Sequence, residues 1–428
     1  MVKILLLNHW CCLNKGSASI LISVFKILEK AFPNVEFTVL SSYPKIDSAR
    51  CNALVLERCV NPSSNKLRTI ISMIRCGLWA LLFRTFKINS NTLIEVGKRK
   101  TLKAYTEADI VLSIGADVLA ETYGFGPFVG ELYEILLAIL LKKPVIIYAQ
   151  TIGPLSKIGA LLLRFVLNNI NLITVRGKIS RDFLWTIGVN KPPIYLTPDP
   201  AFILQPASHE RVQEIMLREN IARYTGPLIG ITVSHTIYRR LSNFRSMKEK
   251  FDNYVKLMSQ IVDYLTEKLN ANVVFLPYFV GLGIEREDDI SIATRIYRRV
   301  KNKNKVYLMV NEYTPEELKA VVGRLDLLIG TRMHSIIHAT SMFVPTIGID
   351  PTYKVREVMG MLGQDKHVCN IGSLDLDELI SKIDEVYSVK DEISRELAPK
   401  IKIAQNSVLL TSKLIKDLYV LLHAGLLK

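Results

Sequence analysis

Asp326-Leu-Leu-Ile-Gly-Thr-Arg-Met-His-Ser-Ile-Ile-His-Ala-Thr-Ser-Met-Phe-Val-Pro-Thr-Ile-Gly-Ile-Asp350 decides how this chain is read. Leu327 to Ile329 is a short apolar run that reads as a buried strand, stopped by Gly330-Thr331. A helical segment opens at Ser335 and a second apolar run follows Pro345, so strand, helix and strand succeed one another as in a parallel sheet. Arg332 and His334 fall between the first strand and the helix, where α/β folds place their ligands. An arginine there adds a planar fork of donors to the N–H groups and dipole of a helix start, a combination suited to an anion. A histidine two residues on moves a proton near neutral pH. Lys354 follows the second apolar run and brings a further cation to the same edge.

The same alternation extends outward in both directions. Strands are predicted at Lys3–Asn8, Val35–Leu40, Asp109–Ile114, Pro144–Ala149 and Leu172–Val175, with helical spacing over Ile158–Leu167 and Ile179–Trp185. A second series runs through Leu228–Ser234, Asn272–Leu276, Lys305–Val310, Leu327–Ile329 and Pro345–Ile349. The expected organisation is an α/β chain of two doubly wound, Rossmann-like domains, residues 1–205 and 228–375, facing a cleft that holds the site. Residues 206–227 read as a connection, and 376–428 as a C-terminal amphipathic helical segment. No repeat at solenoid spacing interrupts this pattern.

Composition narrows the function classes. A chain of 428 residues with 49% hydrophobic and 22% charged residues is a folded protein long enough for two cores. The formal charge of +15 suits nucleic acid, an anionic membrane face or a phosphorylated substrate. The basic residues are scattered, without an aromatic-interleaved array or zinc finger, so no nucleic-acid partner is expected. Six cysteines form no CxxC pair and read as reduced, cytosolic thiols. The start at Met1 reads as a first strand, its apolar run being too short for a secretory signal. Ile70 to Phe86, broken by Arg75 and Arg84, reads as a core helix or as one lying on a membrane with its arginines snorkelling. A cytoplasmic protein with peripheral contact to the inner face of the membrane accommodates both readings.

Several other segments carry candidate chemistry. The first loop contains Asn14-Lys15-Gly16-Ser17, which is either a phosphate- or sugar-facing βα loop or a plain helix start capped by Ser17. His9, Cys11 and Cys12 lack a fourth ligand at metal spacing, so no metal is expected. Asp117 closes the strand ending at Ile114, and Tyr123-Gly-Phe-Gly126 beyond it reads as a lip over a sugar. Arg176 ends the strand Leu172–Val175, a position that favours an anion over an ordinary surface role. Asp199 either caps a helix or faces the cleft, and His235 follows the first strand of the second series. His338 shares a helical face with His334 but lies among apolar residues, and reads as a satisfied core histidine.

Taken together, these motifs resemble the polysaccharide pyruvyl transferase family from about residue 4 to about residue 363. The resemblance is carried by Asn14-Lys15-Gly16-Ser17, Ala108-Asp-Ile-Val-Leu-Ser-Ile-Gly115, Gln150-Thr-Ile-Gly-Pro154 and Thr174-Val-Arg176 with Ser180. Asp199-Pro-Ala-Phe202, Gly330-Thr-Arg-Met-His334, Val344-Pro345 and Tyr353-Lys354 complete it. It implies a GT-B-like fold and transfer of a pyruvyl group from phosphoenolpyruvate, the donor substrate, onto a sugar as a ketal, with no other cofactor. It also implies that His334 is the catalytic acid and that Arg332, Lys354 and Arg176 bind the donor. Two positions depart from the family. Ser17 stands where an aspartate is frequent, and Gly115-Ala116-Asp117 stands where a Gly-Gly pair is usual. Both belong to the acceptor side, where Asn14, Ser17, Asp117, Asp199 and His235 are the candidates. The acceptor implied is a glycan or lipid-linked saccharide of a cell-surface polysaccharide. A nucleotide-sugar glycosyltransferase of the same fold would need a ribose-reading carboxylate, for which only Glu357 and Asp365 stand after Lys354. A non-catalytic glycan- or membrane-binding relative would have no use for intact Arg332, His334 and Lys354.

Overall fold

The computed structural model describes residues 1–60, 65–86, 94–221, 224–234, 237–242, 244–281, 288–350 and 352–426. They form two compact units. The first comprises Met1–Cys12, Ile20–Pro200 and Asn406–Lys428, and the second Leu13–Ser19 and Ala201–Gln405.

The first unit is built on a seven-stranded sheet: β1 (Val2–His9), β2 (Val35–Ser41), β3 (Leu54–Glu57), β4 (Ile110–Ser113), β5 (Val145–Gln150), β6 (Leu172–Val175) and β7 (Ile194–Leu196). Its order is β3-β2-β1-β4-β5-β6-β7, and every pair is parallel. β4, β5 and β6 are buried along their whole length, which is why they read in the sequence as unbroken apolar runs. The sheet of the second unit contains β8 (Leu228–Thr232), β9 (Asn272–Phe275), β10 (Val306–Leu308), β11 (Leu327–Gly330), β12 (Thr346–Asp350) and β13 (Val368–Asn370). Its order β10-β9-β8-β11-β12-β13 is again wholly parallel. Both units are thus doubly wound, as expected. In each, the order reverses at one place, between β1 and β4 and between β8 and β11, and ligand crevices open beyond the strand ends at such a point.

The structure refines two expectations and changes two. The connection at 206–227, read as polar and helical, contains the helix His209–Arg218, which buries Val212, Ile215 and Met216 in the core of the second unit and so belongs to that unit. The C-terminal segment is helical as expected, in two helices, Leu376–Ser388 and Lys390–His423, and the longer one joins the first unit from Asn406 onward. The segment at Ile70 to Phe86 lies in a helix, Lys66–Phe86, that is no core helix. Only a stripe of Ser72, Cys76, Trp79 and Ala80 is buried, at the spacing of one helical face, against the helix Phe125–Leu140. Leu67, Ile70, Ile71, Ile74, Leu78, Leu81 and Phe86 are exposed. Among the described residues it is the one helix long and apolar enough to cross a membrane. The Tyr123-Gly-Phe-Gly126 segment is no lip: Phe125 opens the helix Phe125–Leu140 directly after Gly124, whose φ of 106° suits glycine.

A buried polar chain runs below the carboxyl edge of the first sheet. Arg58 pairs with Glu131 at 2.6 Å, Glu131 accepts from Asn8, Ser113 donates to Asn8, and Gln150 donates to Ser113. Glu134 beside it accepts from Tyr105 and from the Val60 N–H, and burial pushes its carboxyl up against the opposing charge of Arg58. Arg58 is therefore the cation for two buried carboxylates. Arg58→Met should destabilise the first unit by about 3–5 kcal/mol, since it strands both. All three tryptophans lie in this unit, so tryptophan fluorescence during urea unfolding reads it selectively. An unchanged midpoint would show that the chain carries no such load.

Candidate active site

Arg332 and His334 sit at the switch point of the second unit. β11 ends at Gly330, beside β8, and Thr331 locks the two strand ends together. Its hydroxyl donates to the Thr232 carbonyl at 2.8 Å and its N–H to the Thr232 hydroxyl at 3.1 Å. Arg332 is extended and forms the N-cap of the helix Met333–Ser341, whose first turn Ser335 closes by donating to the Arg332 carbonyl. The Arg332 guanidinium lies against Asp289, with Nε 3.2 Å from one carboxylate oxygen and Nη2 in close contact with the other. Asp289 is buried, and it also accepts the backbone N–H groups of Tyr278 and Phe279. Burial pushes its carboxyl up, while Arg332 and the two N–H groups pull it back. Lys354 begins the helix Lys354–Met361 after β12, the neighbour of β11, and so belongs to the same sheet edge.

The first loop of the chain completes this site. Asn14 makes an antiparallel bridge to Phe279, and the Lys15 N–H donates to the Tyr278 carbonyl. Asn14, not Ser17, caps the helix Lys15–Ala31, accepting the N–H groups of Gly16 and Ser17 at 2.9 and 3.2 Å. Lys15 is buried and pairs with Glu312 at 2.9 Å. Gly16 lies flat on the His334 ring: a Cβ there would stand 2.3 Å from Nδ1, so only glycine fits. His334 is half-buried between the first turns of two helices, while His338 is wholly buried. His338 bridges the Tyr278 hydroxyl at 2.9 Å and the Ser19 hydroxyl at 3.0 Å, the satisfied core histidine expected. Ser17 stays half-buried in the same turn as Gly16.

The structure therefore brings Asn14, Ser17, Arg332, His334 and Lys354 into one unit. Arg176, Asp117 and Asp199 are in the other. Arg176, expected to hold the donor, has several partners within its own unit. Its guanidinium is buried, pairs with Asp199, and donates to Thr151 and the Ala116 carbonyl. It fastens the segments that follow β4, β5 and β7 to the end of β6, and Asp199 is its counter-ion. Asp117 is half-buried and accepts from Tyr123 at 3.3 Å. His235 lies outside the described residues. In the first unit His9, Cys12 and Asp47 bring ligand-type atoms within 4.8 Å of one another.

Sequence reasoning missed Asp289 and Glu312. Asp289 follows the N-cap Asp288 and looks like ordinary acidic enrichment at a helix start. Nothing local marks Glu312, since its partner is 297 residues away. Asp289→Ala would leave a half-buried guanidinium and two backbone N–H groups without their acceptor. It should cost about 3 kcal/mol, the lower end for a broken buried pair because Arg332 reaches solvent. Urea unfolding followed by circular dichroism checks this, and a loss below about 1 kcal/mol would fit a surface pair instead.

Comparison with known proteins shows the family and the fold. Polysaccharide pyruvyl transferase is the family that matches, over residues 14–353. The amylovoran biosynthesis protein AmsJ of Erwinia amylovora is 22% identical over 407 residues, 94% of this chain and 96% of the relative. Among solved structures, UDP-GlcNAc 2-epimerase from Neisseria meningitidis bound to UDP-GlcNAc is similar with a TM-score of 0.62 at 12% identity. That likeness covers 98% of this chain and 100% of the other. Anabaena Alr3699/HepE in complex with UDP-glucose is similar with a TM-score of 0.57 at 11% identity, over 97% and 98% of the two chains. At these identities the likeness is one of fold, and the fold is GT-B-like.

Proposed function

The chain belongs to the polysaccharide pyruvyl transferase family, and from that premise we propose that it transfers the enolpyruvyl-derived group of phosphoenolpyruvate onto a sugar as a ketal, releasing phosphate. The acceptor is a cell-surface polysaccharide or its lipid-linked precursor, in line with a relative named for amylovoran biosynthesis. The observation that carries the reading is the His334 ring seated on Gly16, with Arg332 fixed two residues before it. Two helix starts and a clamped guanidinium favour an anion next to one proton-transfer group.

In this mechanism Arg332 and Lys354 hold the donor's phosphate and carboxylate. His334 gives a proton to the vinyl carbon C3, and C2 becomes oxocarbenium-like. One acceptor hydroxyl attacks C2 and its proton returns to the imidazole. A second hydroxyl then displaces phosphate from C2, its proton leaving with the phosphate, and the ketal closes. The donor's negative charges stabilise the imidazolium that the first step needs. Ser17, in the turn beside His334, is the acceptor contact within this unit.

His334→Gln should lower phosphate release by about 10²–10⁴-fold while stabilisation by phosphoenolpyruvate in thermal shift is kept. Arg332→Lys should weaken donor binding by about tenfold or more, since a point charge replaces a fork. Gly16→Ala should lower turnover by displacing the ring. Stabilisation by UDP-sugars but not by phosphoenolpyruvate would replace this reading with that of a nucleotide-sugar enzyme.

A specific observation favours a lipid-linked acceptor. The helices Lys66–Phe86 and Lys157–Leu167 both flank the helix Phe125–Leu140. They expose Ile70, Ile74 and Leu78 on one and Ile158, Leu161 and Phe165 on the other. Both contain basic residues and no acidic one. An apolar face with a cationic fringe suits an anionic bilayer surface, where each cation adds about 1 kcal/mol. The protein should float with vesicles containing phosphatidylglycerol and less with purely zwitterionic ones. Replacing Ile70, Ile74 and Leu78 by serine should abolish flotation and leave phosphate release on a soluble acceptor unchanged. Flotation insensitive to these changes would exclude this face.

A further inference from the structure

We propose that His9, Cys12 and Asp47, whose ligand atoms lie together in the first unit, hold a transition-metal ion with Zn²⁺ as its natural occupant, and that Cys51, beside Cys12, turns in as the fourth ligand. His9 ends β1, and Cys12 follows in the turn beyond it. Asp47 lies in the short helix Pro44–Ser48, and Cys51 follows four residues later. Thus His-x2-Cys from the first loop faces Asp-x3-Cys from the segment after β2. The carboxyl of Asp47 is 3.2 Å from His9 Nε2. The Cys12 sulfur is 3.5 Å from the same nitrogen and 3.4 Å from the Cys51 sulfur. Metal bonds of 2.0 Å to nitrogen or oxygen and 2.3 Å to sulfur, at tetrahedral angles, require separations of about 3.3–3.8 Å between donor atoms. The 3.2 Å between nitrogen and oxygen and the 3.5 Å between nitrogen and sulfur match the values for those pairs, about 3.3 and 3.5 Å. The 3.4 Å between the two sulfurs is short of the about 3.8 Å that two bound thiolates need, so Cys51 moves on binding.

Chemistry agrees with geometry. Two thiolates, an imidazole and a carboxylate suit a borderline-soft ion and exclude an oxygen-seeking one such as Mg²⁺ or Ca²⁺. His9, Cys12 and Asp47 are nearly inaccessible, whereas Cys51 reaches solvent and offers a path for entry. Supporting contacts fix the carboxylate: Ser41 donates to one oxygen and the Cys12 N–H to the other. Cys11 stands outside the group, and the residues that join His9 and Cys12 come from positions 47 and 51, beyond what spacing within the first loop can show. The site is closed and structural. It pins the loop that leads, two residues on, to Asn14, and so concerns the placement of the loop rather than the reaction.

The test reads metal, not activity. Full-length protein purified without chelators or metal-affinity steps should contain about one zinc per chain by elemental analysis. After removal of zinc with a chelator, Co²⁺ should produce a thiolate-to-cobalt charge-transfer band and strong tetrahedral d–d absorption. Cys12→Ser and Cys51→Ser should each weaken the charge-transfer band, and Ser41→Ala should weaken binding by about 10–100-fold. Cys11→Ser should leave all of this unchanged. Protein free of metal as isolated that gives no charge-transfer band with Co²⁺ would overturn the proposal. So would a Cys12–Cys51 disulfide in the purified protein, or a band insensitive to both serine variants. Should the variants fail to fold, the wild-type cobalt spectrum alone decides.

Discussion

The Asp289 carboxylate is the constraint on which the site depends. A buried charge has to be met on all sides, and this one is met by Arg332 and by two successive backbone N–H groups, those of Tyr278 and Phe279. The same two residues hold the first loop of the chain, through the bridge from Asn14 and the bond from Lys15. One carboxylate therefore fixes the aim of the arginine and the segment that positions Gly16 against His334. Tyr278 also orients His338, one turn further along the helix Met333–Ser341. Loss of the carboxylate would release each of these parts at once.

The two units use their switch points differently. In the second, the strand ends are tied by small hydroxyl residues, Thr232, Thr331 and Ser335, so that the space beyond them is left to Arg332, His334 and Lys354. In the first, the corresponding edge is crossed by the long side chain of Arg176, whose donors reach segments after three other strands. The same residue type thus serves as a ligand candidate at one edge and as a fastener at the other. The partner decides: Asp289 leaves Arg332 partly at the surface, whereas Asp199, Thr151 and the Ala116 carbonyl bury Arg176.

The central strands were legible because burial on both faces writes an unbroken apolar run. β1, β4, β5, β6, β8, β9, β11 and β12 stand within one or two residues of their expected bounds. The edge strands β3, β7 and β13 were not legible. Leu54–Glu57 and Ile194–Leu196 hold no buried residue, so their composition carries no strand pattern. Val368–Asn370 offers only two apolar residues before Asn370, whereas the equally short edge strand β10 stands in the longer apolar run 306–310 and was legible. The cationic half of the site was equally legible, since Arg332, His334 and Lys354 follow adjacent strands. What the sequence could not show was each residue's partner. Asn14 rather than Ser17 became the cap because the bridge to Phe279 fixes where the helix starts, and that is a tertiary fact.

The two departures from the family pattern can be weighed in the same terms. Gly115 is required here: a Cβ would stand 2.9 Å from the Asn8 carbonyl and closer still to Val118. Ala116 is different, because what its position supplies is a backbone carbonyl to Arg176, and a methyl group does not change that. The loss of a second glycine therefore leaves this edge intact. Ser17 in place of an aspartate removes a negative charge from the turn beside His334, where the proposed donor brings several of its own. An oxocarbenium-like C2 is electrophilic enough for a hydroxyl to add without a strong base, and the imidazole that gave up its proton is at hand to accept one. On this reaction the serine is a compatible acceptor contact, and His334 is the protein group that gives and takes the proton of the first addition, the second proton leaving with the phosphate.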